Sequence, residues 1–138
     1  MSEPMVVTWD QNATEHTARD TVELDAFLDE AHAQAETEGY PRLVDIQAPS
    51  GGATLGITVG AAESTVIWND DQGRESTSHD PDSAREPMIQ VTCYSEPSWF
   101  PAFTLIPTTT ARAAAREFLA SGGRRPANIA WDTDLAQK

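Results

Sequence analysis

At 138 residues, with 39% apolar side chains, four tryptophans and four phenylalanines, the chain carries bulky material for one hydrophobic core and is too short for two. Twenty-two acids stand against nine bases, for a formal net charge of −13 and an isoelectric point near 4.3, so direct binding to DNA or RNA would work against Coulomb repulsion. No stretch approaches the ~18 continuous apolar residues of a membrane helix, the acid-bearing first thirty residues do not read as a signal peptide, and a single cysteine, Cys93, excludes an internal disulfide and a multi-cysteine zinc site. One domain spanning 1–138, held in the cytosol with no membrane contact, is the expectation.

In chain order, Met5-Val6-Val7-Thr8-Trp9 predicts a short first strand, and polar residues follow to Arg19. Asp20 or Thr21 is placed to cap a helix, with Glu23 three residues past Asp20 in the capping-box position. Leu24, Phe27, Leu28, Ala31 and Ala35 form one helical stripe, which should stop at Gly39. The outer face carries Glu23, Asp25, Asp29, Glu30 and Glu36 with no lysine or arginine to pair them, leaving the repulsion to solvent. Residues 1–50 as a whole hold eleven acids and two arginines, whereas residues 101–138 hold three acids and five bases.

Leu43, Val44 and Ile46 suggest the next strand, followed by a turn cluster at 49–52. Leu55, Ile57 and Val59 alternate with Gly56 and Thr58, and 64–69 is again β-branched and aromatic, so residues 60–63 read as a hairpin connection. Residues 70–86 predict one long exposed loop, in which Asp70, Asp71, Glu75, Asp80, Asp82 and Glu86 face only Arg74 and Arg85; loops of that length are usually functional or disordered. A strand is expected over 87–94, and 99–101 and 103–107 look extended. Thr108, Thr109 or Thr110 then caps a helix whose buried stripe is Ala111, Ala114, Ala115, Phe118 and Leu119, with Arg112 and Arg116 at i, i+4. Gly122-Gly123 ends it, and 127–131 reads as a closing strand. The sum is an α+β fold, a mostly antiparallel sheet with two helices packed on one face.

Chemistry-bearing patterns are missing. His16, His32 and His79 lie in separate segments with no second histidine at i+4, so no metal is implied. No lysine-serine or lysine-threonine pair follows the glycines at 51, 52, 56 and 60, which excludes a phosphate-cradling loop. A serine nucleophile elbow and the zinc-deaminase signature are equally absent. Asp70-Asp71 could share a proton, but a polar exposed loop does not build an acid–base site. The expectation is a protein without enzymatic activity or cofactor that works through surface charge and exposed aromatic rings.

The ordered series Leu55-Gly56-Ile57-Thr58-Val59-Gly60, Val66-Ile67-Trp68-Asn69-Asp70, Ile89-Gln90-Val91-Thr92-Cys93-Tyr94, Phe100-Pro101 and Ile106-Pro107 closes on the helix 113–121, then Gly122-Gly123-Arg124-Arg125-Pro126 and Ile129-Ala130-Trp131. Over about residues 50–132 this resembles the first immunity-protein family of bacterial polymorphic toxin systems, associated with deaminase-like toxins. The resemblance implies an antitoxin that binds a cognate toxin and occludes its active site. The composition suits that role independently, because a toxin acting on nucleic acid presents a basic groove that an acidic protein can fill as a charge mimic. The expected contact set is Asp70, Asp71, Glu75, Asp80 and Asp82, with Trp68 and Trp99 as aromatic anchors, since tryptophan is enriched at interface hot spots; Trp131 and Phe118 are assigned to the core. The alternative is a non-enzymatic binding module of a secretion or regulatory assembly. Oligomeric state and toxin identity are not encoded in any pattern of the chain.

Overall fold

The computed structural model describes residues 4–10, 12, 14–49, 52–79, 88–93, 96–101 and 104–132. Their elements run β1 (Met5–Thr8), β2 (His16–Ala18), α1 (Thr21–Glu38), β3 (Arg42–Gln47), β4 (Thr54–Val59), β5 (Glu63–Ser64), β6 (Val66–Asn69), β7 (Glu75–Ser78), β8 (Met88–Cys93), β9 (Glu96–Pro101), β10 (Ile106–Pro107), α2 (Thr108–Ser121) and β11 (Trp131–Asp132).

Alternation of apolar residues builds the centre. Val44 and Ile46 of β3 lie opposite Ile57 and Leu55 of β4, and Val66 of β6 lies opposite Ile57, so all of them share one face of the pleat. The described strands form a sheet ordered β11-β7-β6-β4-β3-β1-β2. Every pairing in it is antiparallel except one: β8 meets β3 in parallel, with Arg42 level with Thr92, and carries β9 on its other side. A short second ladder joins β5 to β10. Both helices cover the same apolar face, Leu24, Leu28, Ala31 and Ala35 from α1 and Ala111, Ala115, Phe118 and Leu119 from α2, completing an α+β core with Met5, Val7, Trp9 and the β3, β4 and β6 side chains.

Local chemistry sets the helix ends. Asp20 caps α1, its carboxylate accepting the Glu23 N–H at 2.8 Å, while the Glu23 carboxylate reaches back to the Arg19 N–H at 2.9 Å. Gly39, at φ +86°, ends it in the left-handed conformation. The start of α2 differs from expectation. No threonine caps it: Pro107 precedes Thr108 directly, the Thr108 N–H donates to the Ala62 carbonyl at 3.0 Å, and its hydroxyl is held 2.9 Å from Ser64 Oγ. The β5–β10 ladder thus serves the helix end that a side chain was expected to serve.

Four more readings are corrected. The polar stretch before Arg19 contains β2, because His16 stacks on Trp9 with ring centroids 4.4 Å apart and also meets Phe27. The 70–86 loop is interrupted by β7, which pairs with β6 through a five-residue turn. The closing strand begins only at Trp131; residues 127–129 bend, with the Ala127 N–H on the Glu117 carboxylate at 3.0 Å. The acids of α1 do not lack bases: Arg112 of α2 meets Asp29 at 2.6 Å and Arg116 meets Asp25 at 3.1 Å. Sequence spacing within one helix could not reveal pairs made between two.

Close approach of α1 to the sheet end rests on Gly60. Its φ is +105°, and a Cβ there would stand 2.5 Å from the Ala35 Cβ; at Gly39 nothing lies within 4 Å of the corresponding position. Gly60→Ala should therefore destabilise the chain by at least about 3 kcal/mol, left-handed strain plus overpacking, against about 1–2 kcal/mol of strain alone for Gly39→Ala. Urea denaturation of both variants gives the comparison, and equal losses would remove the Ala35 contact from the account.

Candidate functional site

The predicted contact residues separate into three groups. Asp70 is consumed by the turn between β6 and β7: its Oδ1 accepts the N–H groups of Gln72 and Arg74 at 2.9 and 2.8 Å, and its Oδ2 accepts the Arg74 Nε–H at 2.8 Å. Gly73, at φ +81°, completes the reversal. The Arg74 backbone N–H, with further hydrogen bonds from Gln72 and the Arg74 side chain, holds the Asp70 carboxyl below the usual carboxylate range. Asp10 plays the same part after β1, accepting the Thr14 and Asn12 N–H groups at 2.8 and 3.1 Å, and its carboxyl is likewise lowered, first by Thr14.

Trp68 is half-buried and tied down. Its indole N–H donates to the Gly123 carbonyl at 3.3 Å, and the Arg125 guanidinium lies 5.9 Å from both its ring and that of Trp131, while also donating to Ser76 Oγ at 3.3 Å. Trp131 in turn donates to the Pro126 carbonyl at 2.7 Å. The segment Gly123-Arg124-Arg125-Pro126 is thereby a clasp that fastens the end of α2 to β6, β7 and β11.

Asp71 and Glu75 are exposed at the tip of the turn and the start of β7; Asp80 and Asp82 lie outside the described residues. Trp99 stands apart from all of these. It is on β9, 59% exposed, and lies opposite Gln90 of β8, so the two share a face of the hairpin.

The remaining surface charge is set by how the arginines are used. Arg19, Arg42, Arg74, Arg112 and Arg116 each pair with an acid of this same chain. Arg42 is the buried one, bidentate on Glu38 at 2.6–2.7 Å and donating to the Trp9 carbonyl at 2.7 Å. Glu30, Asp71, Glu75 and Glu96 have no ion pair among the described residues and are exposed. What is left to face a partner is predominantly acid.

Sequence reasoning missed a concavity of this surface. Tyr40, Pro41, Ala61, Ala62, Gln90 and Leu105, with Thr58 and Glu63, line an open, mainly apolar groove of about 410 Å³. Its signal in the sequence is weak, because its walls come from four separate segments. Tyr40 is 51% exposed on its rim. No three His, Cys, Asp or Glu side chains gather as a metal would require, and no helix is long and apolar enough to cross a membrane, among the described residues.

The chain matches the model of the family described as immunity protein Imm1 over residues 12–133, and it belongs to that family. The match extends well to the N-terminal side of the segment in which the resemblance was legible, taking in β2, α1 and β3. Comparison with curated proteins gives no match.

Because the folded Asp70 carboxyl is lowered, its contribution is present above the ordinary carboxylate pKa and is lost as pH falls through the folded value. Asp70→Asn should lower the melting temperature at pH 7, and the gap to the parent chain should close as pH falls below the ordinary carboxylate range and through the folded value. Thermal unfolding followed by circular dichroism across pH 2–7 measures it; a gap that persists at acid pH would show that geometry rather than charge holds the turn.

Proposed function

We propose that this immunity protein neutralises a nucleic-acid-modifying toxin of the deaminase class by covering its active site, and that it acts as a single unit over 1–138 in the cytosol without enzymatic activity of its own. The observation that carries the reading is the charge bookkeeping of the surface: five arginines are engaged by acids of the same chain, so the formal −13 is carried outward by carboxylates. A catalytic cleft built for a phosphate backbone is positive, and such a cleft is complementary to this surface and repels nucleic acid from the complex once filled.

In this reading the long-range attraction comes from Asp71, Glu75, Asp80 and Asp82, while Trp99 supplies contact area. Trp68 and Asp70 act one step back, holding the β6–β7 turn that presents Asp71 and Glu75. Charge of this kind raises the rate of encounter more than it lengthens the life of the complex.

A toxin domain encoded beside this chain would be the partner to use. An equimolar amount of the chain should abolish its deamination of a cytosine-bearing oligonucleotide; turnover by the saturated complex would reject occlusion. Replacing Asp71, Asp80 and Asp82 by asparagine and Glu75 by glutamine should slow association roughly 10-fold at low salt and flatten its salt dependence. Stopped-flow rates unchanged at every ionic strength would reject steering by this turn.

A further inference from the structure

The exposed aromatic rings and the groove converge on one end of the molecule. Tyr40 forms the rim where α1 passes into β3, Ala61 and Ala62 form the floor after β4, and Gln90 of β8 forms the far wall. Trp99 lies directly across from Gln90 on the same face of the β8–β9 hairpin. Tyr40 and Trp99 are two of the three large apolar side chains exposed among the described residues, and a concavity with one such ring on its rim and the other next to its far wall has the make-up of an interface anchor pocket. At about 410 Å³ the groove falls within the ~300–1,000 Å³ of sites that enclose a bound group.

Two features restrict what can occupy it. Strand β9 is an edge, paired only with β8 among the described residues. It carries proline at 97 and 101, which lack the N–H that an added strand would need. Docking therefore proceeds by insertion of side chains rather than by extension of the sheet. Charge gives the second restriction. The groove is lined by one acid, Glu63, and no base. A second copy of the chain would bring another −13 to this face, whereas a cationic partner would be drawn to it.

We infer that the groove between Tyr40 and Trp99 is the anchor pocket for the toxin, receiving an apolar side chain from an extended loop whose flanking residues are basic. The inference rests on the reading of the chain as an inhibitor of a basic toxin, and it assigns affinity to a different surface from the acidic β6–β7 turn. The turn sets the encounter rate; the pocket sets the lifetime of the complex.

The test uses the full chain and the toxin domain encoded beside it, with binding read by surface plasmon resonance. Trp99→Ala and Tyr40→Ala should each weaken binding about 30-fold or more, the size of an interface hot spot, almost wholly through faster dissociation. Ala61→Trp, which fills the groove and leaves both rings in place, should do the same. All three positions are exposed, so unchanged circular dichroism and melting temperature are expected. Parent-like dissociation of all three variants, from a parent chain that does neutralise the toxin, overturns the pocket and leaves the inhibitor reading standing. A parent chain that does not bind the toxin at low salt overturns both. Sedimentation that finds the chain alone as a dimer, made monomeric by Trp99→Ala, overturns the toxin as occupant in favour of a second copy.

Discussion

A chain with twenty-two acids and nine bases has to place its arginines where carboxylates would otherwise crowd, and the seam between α1 and α2 is the main place where it does so. The stripe that buries Leu24, Leu28, Ala31 and Ala35 leaves Asp25 and Asp29 beside the neighbouring helix, and α2 answers with Arg116 and Arg112 at the matching i, i+4 spacing. Each bridge is solvent-accessible and contributes no more than ~1 kcal/mol. Their larger effect is on distribution: they remove bases from the surface and make α1 compatible with the one helix that can lie next to it. Arg42 does the same at the other end of α1, where its buried guanidinium binds Glu38, the Trp9 carbonyl and the start of β3 into one knot.

The second half of the sheet is held by hydroxyl groups more than by apolar contact. Ser78 Oγ accepts the Val66 N–H at 2.9 Å and donates to the Thr104 carbonyl at 2.6 Å, and the Thr65 and Thr104 hydroxyls meet at 2.7 Å. The Thr65 N–H donates to Thr58 Oγ1 at 2.8 Å. These side chains are buried, so they satisfy backbone and one another where the β4, β6 and β7 ladders cannot. The arrangement carries the chain from the sheet to the 104–107 segment and α2, and with the Arg125 clasp it fixes the β6–β7 turn in position.

That polar interior explains which parts of the molecule were legible in the residues. The helices, their glycine stops and the β3–β4–β6 centre follow from apolar periodicity, because there the buried face and the hydrophobic pattern coincide. Strand β7 has the composition Glu-Ser-Thr-Ser, which in a sequence is indistinguishable from loop until its hydroxyls find Val66 and Thr104. The His-Thr-Ala of β2 was hidden for a related reason: it is fixed by ring stacking between His16, Trp9 and Phe27 rather than by alternation. Of the expected contact residues, Asp70 is tied into its own turn by Gln72 and Arg74, and Trp68 is tied to Gly123 across the chain. The groove was invisible because no single segment owns it. Its far wall is brought to the rim by the parallel contact of β8 with β3, and its floor meets the 105–107 segment through the β5–β10 ladder.

The separation of acid turn from apolar groove also fits the ranges over which the two forces act. At physiological ionic strength charges are screened beyond ~8 Å, so exposed carboxylates such as Asp71 and Glu75 act chiefly during approach and lose much of their effect once salt and partner cations compete. Covering an aromatic side chain contributes on the order of 1.5–3 kcal/mol and is indifferent to salt, but it begins only at contact. Tyr40 and Trp99 together could therefore prolong a complex that the acids alone would form quickly and release quickly. An inhibitor that must capture a toxin before it turns over, and then hold it, needs both terms. In the proposed reading the two terms come from separate parts of the fold, the β6–β7 turn and the groove rimmed by Tyr40, so each can change without unsettling the other.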